Sequence, residues 1–174
     1  MILSLTDFVD REYKIPNQNE SSDLLGFIED KEEELLCDLL GVDLYNEVMD
    51  GLDESSPEQK FLDLLNGKEY VFNGVTYKWG GLVNLLKPAV YSKWINVGTF
   101  KFTNIGWVQN SPQENSTAID WTDQFVVAYW NKYCELVGLN KSQKNSFYGY
   151  MKSVESDFDS EWIFNLPKTQ NRFL

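Results

Sequence analysis

The chain contains no histidine. That removes the commonest general base and the commonest metal ligand together. No Ser–His or Cys–His pairing can form. Cysteine is almost as scarce: Cys37 and Cys134 are the only two, and with no Cys-x-x-Cys spacing a zinc site has no ligands to start from. Two thiols in 174 residues are not a disulfide framework, and both sit in apolar helical patterns, as buried free thiols do. The glycine-rich phosphate-binding patterns are missing. No run of 18 apolar residues exists to suggest a membrane span. The opening residues carry Asp7 and Asp10 where a signal peptide would need basic and then uninterrupted apolar residues. The expectation is a protein that is not an enzyme, binds no metal or cofactor and stays in the cytoplasm where it is made.

Positive charge is also in short supply. Lys and Arg number 15 against 27 Asp and Glu. The imbalance is confined to one part of the chain: residues 1–66 carry 18 acids and 4 bases, a net −14, whereas residues 67–174 carry 9 acids and 11 bases, a net +2. An acidic surface does not grip DNA, which is held through its phosphates by Lys and Arg. It would suit a surface that DNA slides past, and equally a solvated helix face. Lys78, Lys87, Lys93 and Lys101 lie among aromatics, as in single-strand binders, but are too dilute to outweigh ordinary surface lysines. Paired carboxylates could serve a hydrolase, but with 27 acids chance pairs carry no information. Asp157, Asp159 and Glu161 are spaced like the start of a calcium loop yet lack its glycine and its distant glutamate.

Aromatics, by contrast, are plentiful: 6 Trp, 9 Tyr and 11 Phe. Such residues fill cores and are enriched at protein–protein interfaces. Helical spacing of apolar residues recurs along the chain. A short helix is expected over Leu5–Tyr13. Ser21, Ser22 and Asp23 offer caps for a helix with Leu24, Leu25, Ile28, Leu35, Leu36, Leu39 and Leu40 on its inner side, a gap at Lys31 and Glu32, and a stop at Gly41. Glu29, Asp30, Glu32, Glu33 and Glu34 are read as its outer, acidic face. A second helix begins near Asp43 and ends in a loop with Gly51 and Pro57. A third carries Phe61, Leu62, Leu64 and Leu65 and stops at Asn66-Gly67.

Residues 68–79 give the sharpest local signal. Asn73-Gly74 is the preferred pair for a two-residue type I′ turn, where both positions need positive φ. That register opposes Phe72 to Val75, Val71 to Thr76, Tyr70 to Tyr77 and Glu69 to Lys78. One face then holds Tyr70, Phe72, Val75, Tyr77 and Trp79. A lone two-stranded hairpin is marginal in water, so this face must lie on helices or on a neighbouring chain.

Beyond Gly80-Gly81 a helix with Pro88 inside it runs to Gly98. Residues 98–118 read as a long loop, extended at its start, with Phe100, Phe102, Ile105 and Trp107 as apolar contacts to its own core or to another chain. A Trp- and Tyr-rich helix with Trp121, Phe125, Tyr129, Tyr133 and Leu136 ends at Gly138, and a last helix spans about 142–157. Trp162 and Phe164 anchor an extended tail. The predicted fold is mainly α, a helical bundle with one small β-hairpin at about 68–79 and extended loop and terminal arms, organised as a single domain over 1–158 and an arm over 159–174.

The segments LLGVDLYNEVMDGL (39–52) and KFLDLLNGKEYVFNGVTYKWGGLVNLLKPAVYSKWI (60–95) resemble head–tail connector (adaptor or ring) proteins of tailed bacteriophages. The matching features are the Gly41-Val42-Asp43-Leu44-Tyr45 helix start, the Leu65-Asn66-Gly67-Lys68 lead-in to the hairpin, the aromatic strands about Asn73-Gly74, and Gly80-Gly81-Leu82 opening a helix that carries Tyr91 and Trp94. The resemblance covers about two fifths of the chain. It implies a structural virion protein at the head–tail junction, made in the host cytoplasm. Its partners would be further copies of itself in a ring (a dodecamer in the virion), the portal protein and tail or stopper proteins. DNA would pass through without sequence-specific binding, and no membrane would be involved. On that reading Tyr70, Phe72, Tyr77, Trp79, Phe100, Phe102, Ile105, Trp107, Trp162 and Phe164 are expected at subunit or partner interfaces, and Glu29, Asp30, Glu32, Glu33 and Glu34 on a channel-facing surface. The alternative is a small acidic regulator or DNA mimic that binds a host protein; it accounts for the charge but not for the aromatic loop and arm.

Overall fold

The computed structural model describes residues 1–8, 12–13, 21–98, 100–103, 106–109, 121–138, 145–165 and 167–168. The fold is mainly helical. Helices α1 (Ser21–Leu40), α2 (Val42–Asp53) and α3 (Gln59–Asn66) are followed by strands β1 (Glu69–Phe72) and β2 (Val75–Lys78). Helix α4 (Leu82–Gly98), strands β3 (Phe100–Thr103) and β4 (Gly106–Gln109), and helices α5 (Trp121–Val137) and α6 (Phe147–Val154) complete the order.

The boundaries follow from local chemistry. Gly41, at φ 79°, turns the chain between α1 and α2 with its N–H donating to the Cys37 carbonyl. Gly67, at φ 92°, ends α3. Any side chain there would meet the Trp79 carbonyl oxygen at 2.5 Å, so this glycine is required by the close approach of α3 to the base of the hairpin. Ser146 caps α6 by accepting the Gly149 N–H at 3.2 Å.

Several boundaries differ from those expected. The first segment is a 3-10 turn over Leu5–Phe8 rather than a helix to Tyr13; residues 9–11 of that expectation lie outside the described residues. Gly51 belongs to α2, not to a loop: it is buried, and the Phe61 ring of α3 lies directly on it. Pro57 stands two residues before α3. The last helix is shorter than 142–157, being α6 and then a 3-10 turn over Glu155–Asp157; residues 142–144 lie outside the described residues.

The core is built from Ile28, Leu35, Leu36 and Leu39 of α1, Leu44 and Val48 of α2, Leu82, Leu85, Leu86 and Val90 of α4, Tyr133 and Val137 of α5, and Phe147 and Met151 of α6. Helices α4 and α5 pack against each other along their length, and the Ser92 hydroxyl of α4 donates to the Val126 carbonyl of α5 at 2.7 Å. Pro88 lies buried inside α4. Cys37 is half-buried and Cys134 buried, both as free thiols, and burial raises the Cys134 thiol to about 11.

The expected hairpin is present in the expected register, Glu69↔Lys78, Tyr70↔Tyr77, Val71↔Thr76 and Phe72↔Val75, with Asn73 and Gly74 both at positive φ. A second antiparallel pair was not expected. Phe100↔Gln109, Lys101↔Val108, Phe102↔Trp107 and Thr103↔Gly106 are opposed in β3 and β4, within the stretch read as a loop.

Candidate functional site: hairpin, acidic helix and arm

The hairpin is bolted down at its base. The Trp79 indole N–H donates to the Leu64 carbonyl of α3 at 2.9 Å, and its ring stacks on Tyr150 at 5.6 Å and meets Phe147 at 5.7 Å. Tyr70 packs edge-on against Tyr150 at 5.8 Å. Both Tyr70 and Trp79 are therefore buried in the chain's own core and are not available to a partner, contrary to their expected place at an interface. Burial raises both the Tyr70 and the Tyr150 hydroxyl above the usual range. Phe72 and Tyr77 are half-buried against the same cluster. Val75 belongs to this face but lies beside the turn and is 50% exposed.

The opposite face is open. Val71 is 64% exposed, and Glu69, Thr76 and Lys78 are exposed around it. In this register the main-chain groups of Glu69, Val71, Thr76 and Lys78 point away from the partner strand. Among the described residues the Lys78 N–H is capped, donating to the Asn145 carboxamide oxygen at 2.8 Å. Asn145 adopts φ 47°, a conformation asparagine tolerates better than most residues. Behind the hairpin is a cleft of about 270 Å³ lined by Lys78, Trp79, Asn84, Leu85, Leu136 and Asn145. That is below the range of about 300–1,000 Å³ typical of small-molecule sites. It has room for a side chain.

On α1, Glu29, Asp30, Glu33 and Glu34 are exposed as expected. Glu34 is tied to Lys31 and to Lys93 of α4, at 2.6 Å each, and these hydrogen bonds hold its carboxyl below the usual range. Glu32 is not part of this face. It is buried, and its two oxygens accept the backbone N–H groups of Ile2 at 2.6 Å and Leu3 at 2.7 Å. The reason is visible in the sequence. Position 32 lies one turn from Ile28 and one turn from Leu35 and Leu36, which is the apolar stripe, and the gap left there is filled by a carboxylate that fixes the chain start.

The arm lies on its own body. The Trp162 indole N–H donates to the Leu39 carbonyl at 2.9 Å, and the Ile163 N–H reaches the Leu40 carbonyl at 3.4 Å. Trp162 also packs against Phe147 and Tyr148, and Phe164 against Tyr148. Trp162 and Phe164, expected at a partner interface, are thus half-covered by α6. Glu47 of α2, not anticipated from the sequence, accepts the N–H groups of Asp159 at 3.1 Å and Ser160 at 2.8 Å and pairs with Lys60 at 3.4 Å. Of the four positions proposed in the loop, Phe100, Phe102 and Trp107 fall on the β3–β4 ladder, and Ile105 lies outside the described residues.

Among the described residues no group of three or more Cys, Asp or Glu side chains could hold a metal ion, and no helix is long and apolar enough to cross a membrane. A family model described as a family of unknown function (DUF6712) matches residues 36–161. The chain belongs to that family. The DUF6712 match runs from the last five residues of α1 through α6 to the first residues of the arm, so it takes in the hairpin and Glu47 and excludes Glu32. No curated protein and no solved structure matches the chain.

Proposed function

We propose that this protein is an assembly subunit, a head–tail connector that forms a ring of identical copies between portal and tail, through which DNA passes. One observation carries the reading. The β1–β2 hairpin is anchored by Tyr70 and Trp79, yet it holds Val71 at 64% and Val75 at 50% exposure beside main-chain groups that point away from the partner strand. A monomer gains nothing from presenting β-branched apolar residues on an unprotected strand edge; such edges are normally blunted or covered. A neighbouring copy would cover them. Contact between two different patches of identical chains closes into a ring when the rotation allows.

The sequence resemblance of residues 39–52 and 60–95 to connector proteins supports the same reading and names its setting. The exposed carboxylates of Glu29, Asp30 and Glu33 suit a wall that DNA must not adhere to.

The test is native mass measurement of the purified chain over a range of concentrations, beside a Val71→Glu variant. The proposal expects a discrete oligomer for the wild type and a monomer of unchanged helicity for the variant. If both give the same mass distribution, the hairpin is not the contact.

A further inference from the structure

We infer that residues 159–164 are a detachable strap latched by Glu47, and that the corner it covers is a docking site for the same strap from a second copy of this chain. The inference rests on the assembly reading above for the second copy, and on geometry for the rest.

The corner is an acceptor surface. At the end of α1 the carbonyls of Leu39 and Leu40 are left without partners inside the helix. The strap supplies donors for both, the Trp162 indole and the Ile163 N–H. One helix further on, the Glu47 carboxylate collects two successive main-chain N–H groups, from Asp159 and Ser160. Between these grips Gly41 leaves space for Ile163, whose Cβ would stand 3.2 Å from any Cβ at position 41. Every one of these acceptors reads backbone or an indole N–H, so a strap of the same sequence from another copy satisfies them equally. The chain's own strap is the ligand seen to fit.

The strap is also lightly held. Ile163 is 54% exposed, and Trp162 and Phe164 are only half-buried. Upstream, the turn Glu155–Asp157 has no buried residue. Phe158, buried against Phe61 at 6.1 Å, holds the chain just before the strap, and beyond it the Lys168 carbonyl accepts the Trp130 indole N–H at 2.8 Å. Release beyond Phe158 gives up the half-buried Trp162 and Phe164 and the Lys168 hydrogen bond but no fully buried side chain among the described residues. Exchange of an identical element between copies then costs little, because the bonds broken in one are remade in the other.

The experiment uses the full chain carrying the photo-crosslinker p-benzoylphenylalanine in place of Ile163, an exposed position, with and without Glu47→Gln. Hydrogen exchange is read at Asp159, Ser160 and Ile163 on the same proteins without the crosslinker. In the wild type at low concentration the crosslink should be intramolecular and map to Leu40–Tyr45. Raising the concentration should convert it to covalent dimers mapping to the same residues. Glu47→Gln should speed exchange at the three amides by about tenfold or more while leaving α4 and α6 protected. Intramolecular crosslinks alone at every concentration, or unchanged exchange in Glu47→Gln, would overturn the inference. Rings without intermolecular crosslinks would sink the strap and spare the ring. Crosslinked dimers without rings would do the reverse.

Discussion

The carboxylate of Glu47 holds the backbone N–H of Ser160 at 2.8 Å across 113 positions of sequence. Helix α2 is thereby tied to the arm by charge-assisted hydrogen bonds, which are roughly twice as strong as neutral ones. Burial alone would raise the Glu47 carboxyl; the bonds from Ser160, Asp159 and Lys60 outweigh it, and the group is held below its ordinary value of 4.5. The stabilisation is thus fully present above pH 4.5 and is lost as pH falls through the lower folded value. Acidification should loosen the arm in this window. Trp162, which lies on Phe147, reports it: a shift of tryptophan emission that is present in wild type and absent in Glu47→Gln is the expected outcome.

Glu32 gives a second carboxylate test, at the other end of the chain. Its two oxygens satisfy the Ile2 and Leu3 N–H groups, and Leu3 is fully buried. Glu32→Ala leaves those donors without their acceptor and should cost about 1–3 kcal/mol. Glu33→Ala, on the exposed face one residue along, should stay within about 0.5 kcal/mol of wild type. Urea titration of both variants checks the pair, and equal losses would mean that the Glu32 contact is not formed.

Two glycines predict opposite outcomes for the same substitution. At Gly51 a Cβ would lie 2.2 Å from the Phe61 ring, and Gly51→Ala should destabilise by about 1–3 kcal/mol through overpacking of α2 on α3. At Gly26, inside α1, nothing lies within 4 Å. Gly26→Ala should stabilise by about 0.4–1 kcal/mol, because alanine loses less backbone freedom on entering a helix. Melting temperatures of the two variants decide it.

Trp79 should separate anchoring from contact. Trp79→Phe keeps most of the ring packing but removes the donor to the Leu64 carbonyl, a loss of about 1–3 kcal/mol. Trp79→Ala also opens a cavity against Tyr150 and Phe147 and should cost about 3–5 kcal/mol. Chemical denaturation measures both, and assembly should fall with them because the hairpin loses its base.

The sequence was most informative where one short-range rule dominates. Asn73-Gly74 fixed the turn, and the turn fixed the register of all four cross-strand pairs. Helix order followed from apolar spacing. Long-range choices were not legible. That Trp79 and Tyr70 face Tyr150, and that Trp162 reaches Leu39, depend on how α6 comes back to α1 and α3, which no local pattern encodes. Glu32 was readable, since its position falls on the apolar stripe, but its residue type outweighed its spacing. Glu47 carries no such mark: only the folded chain shows which amides it meets. The β3–β4 pair escaped because Phe100 and Phe102 alternate over too few residues and have no Asn-Gly turn beside them.

Whether this chain closes into a ring is decided by negative-stain electron microscopy of the purified protein at high concentration, with mass taken on the same sample. A connector subunit should give rings with an open centre, which disperse when Val71→Glu is introduced. A single monomeric species at every concentration, unchanged by that substitution, would contradict it.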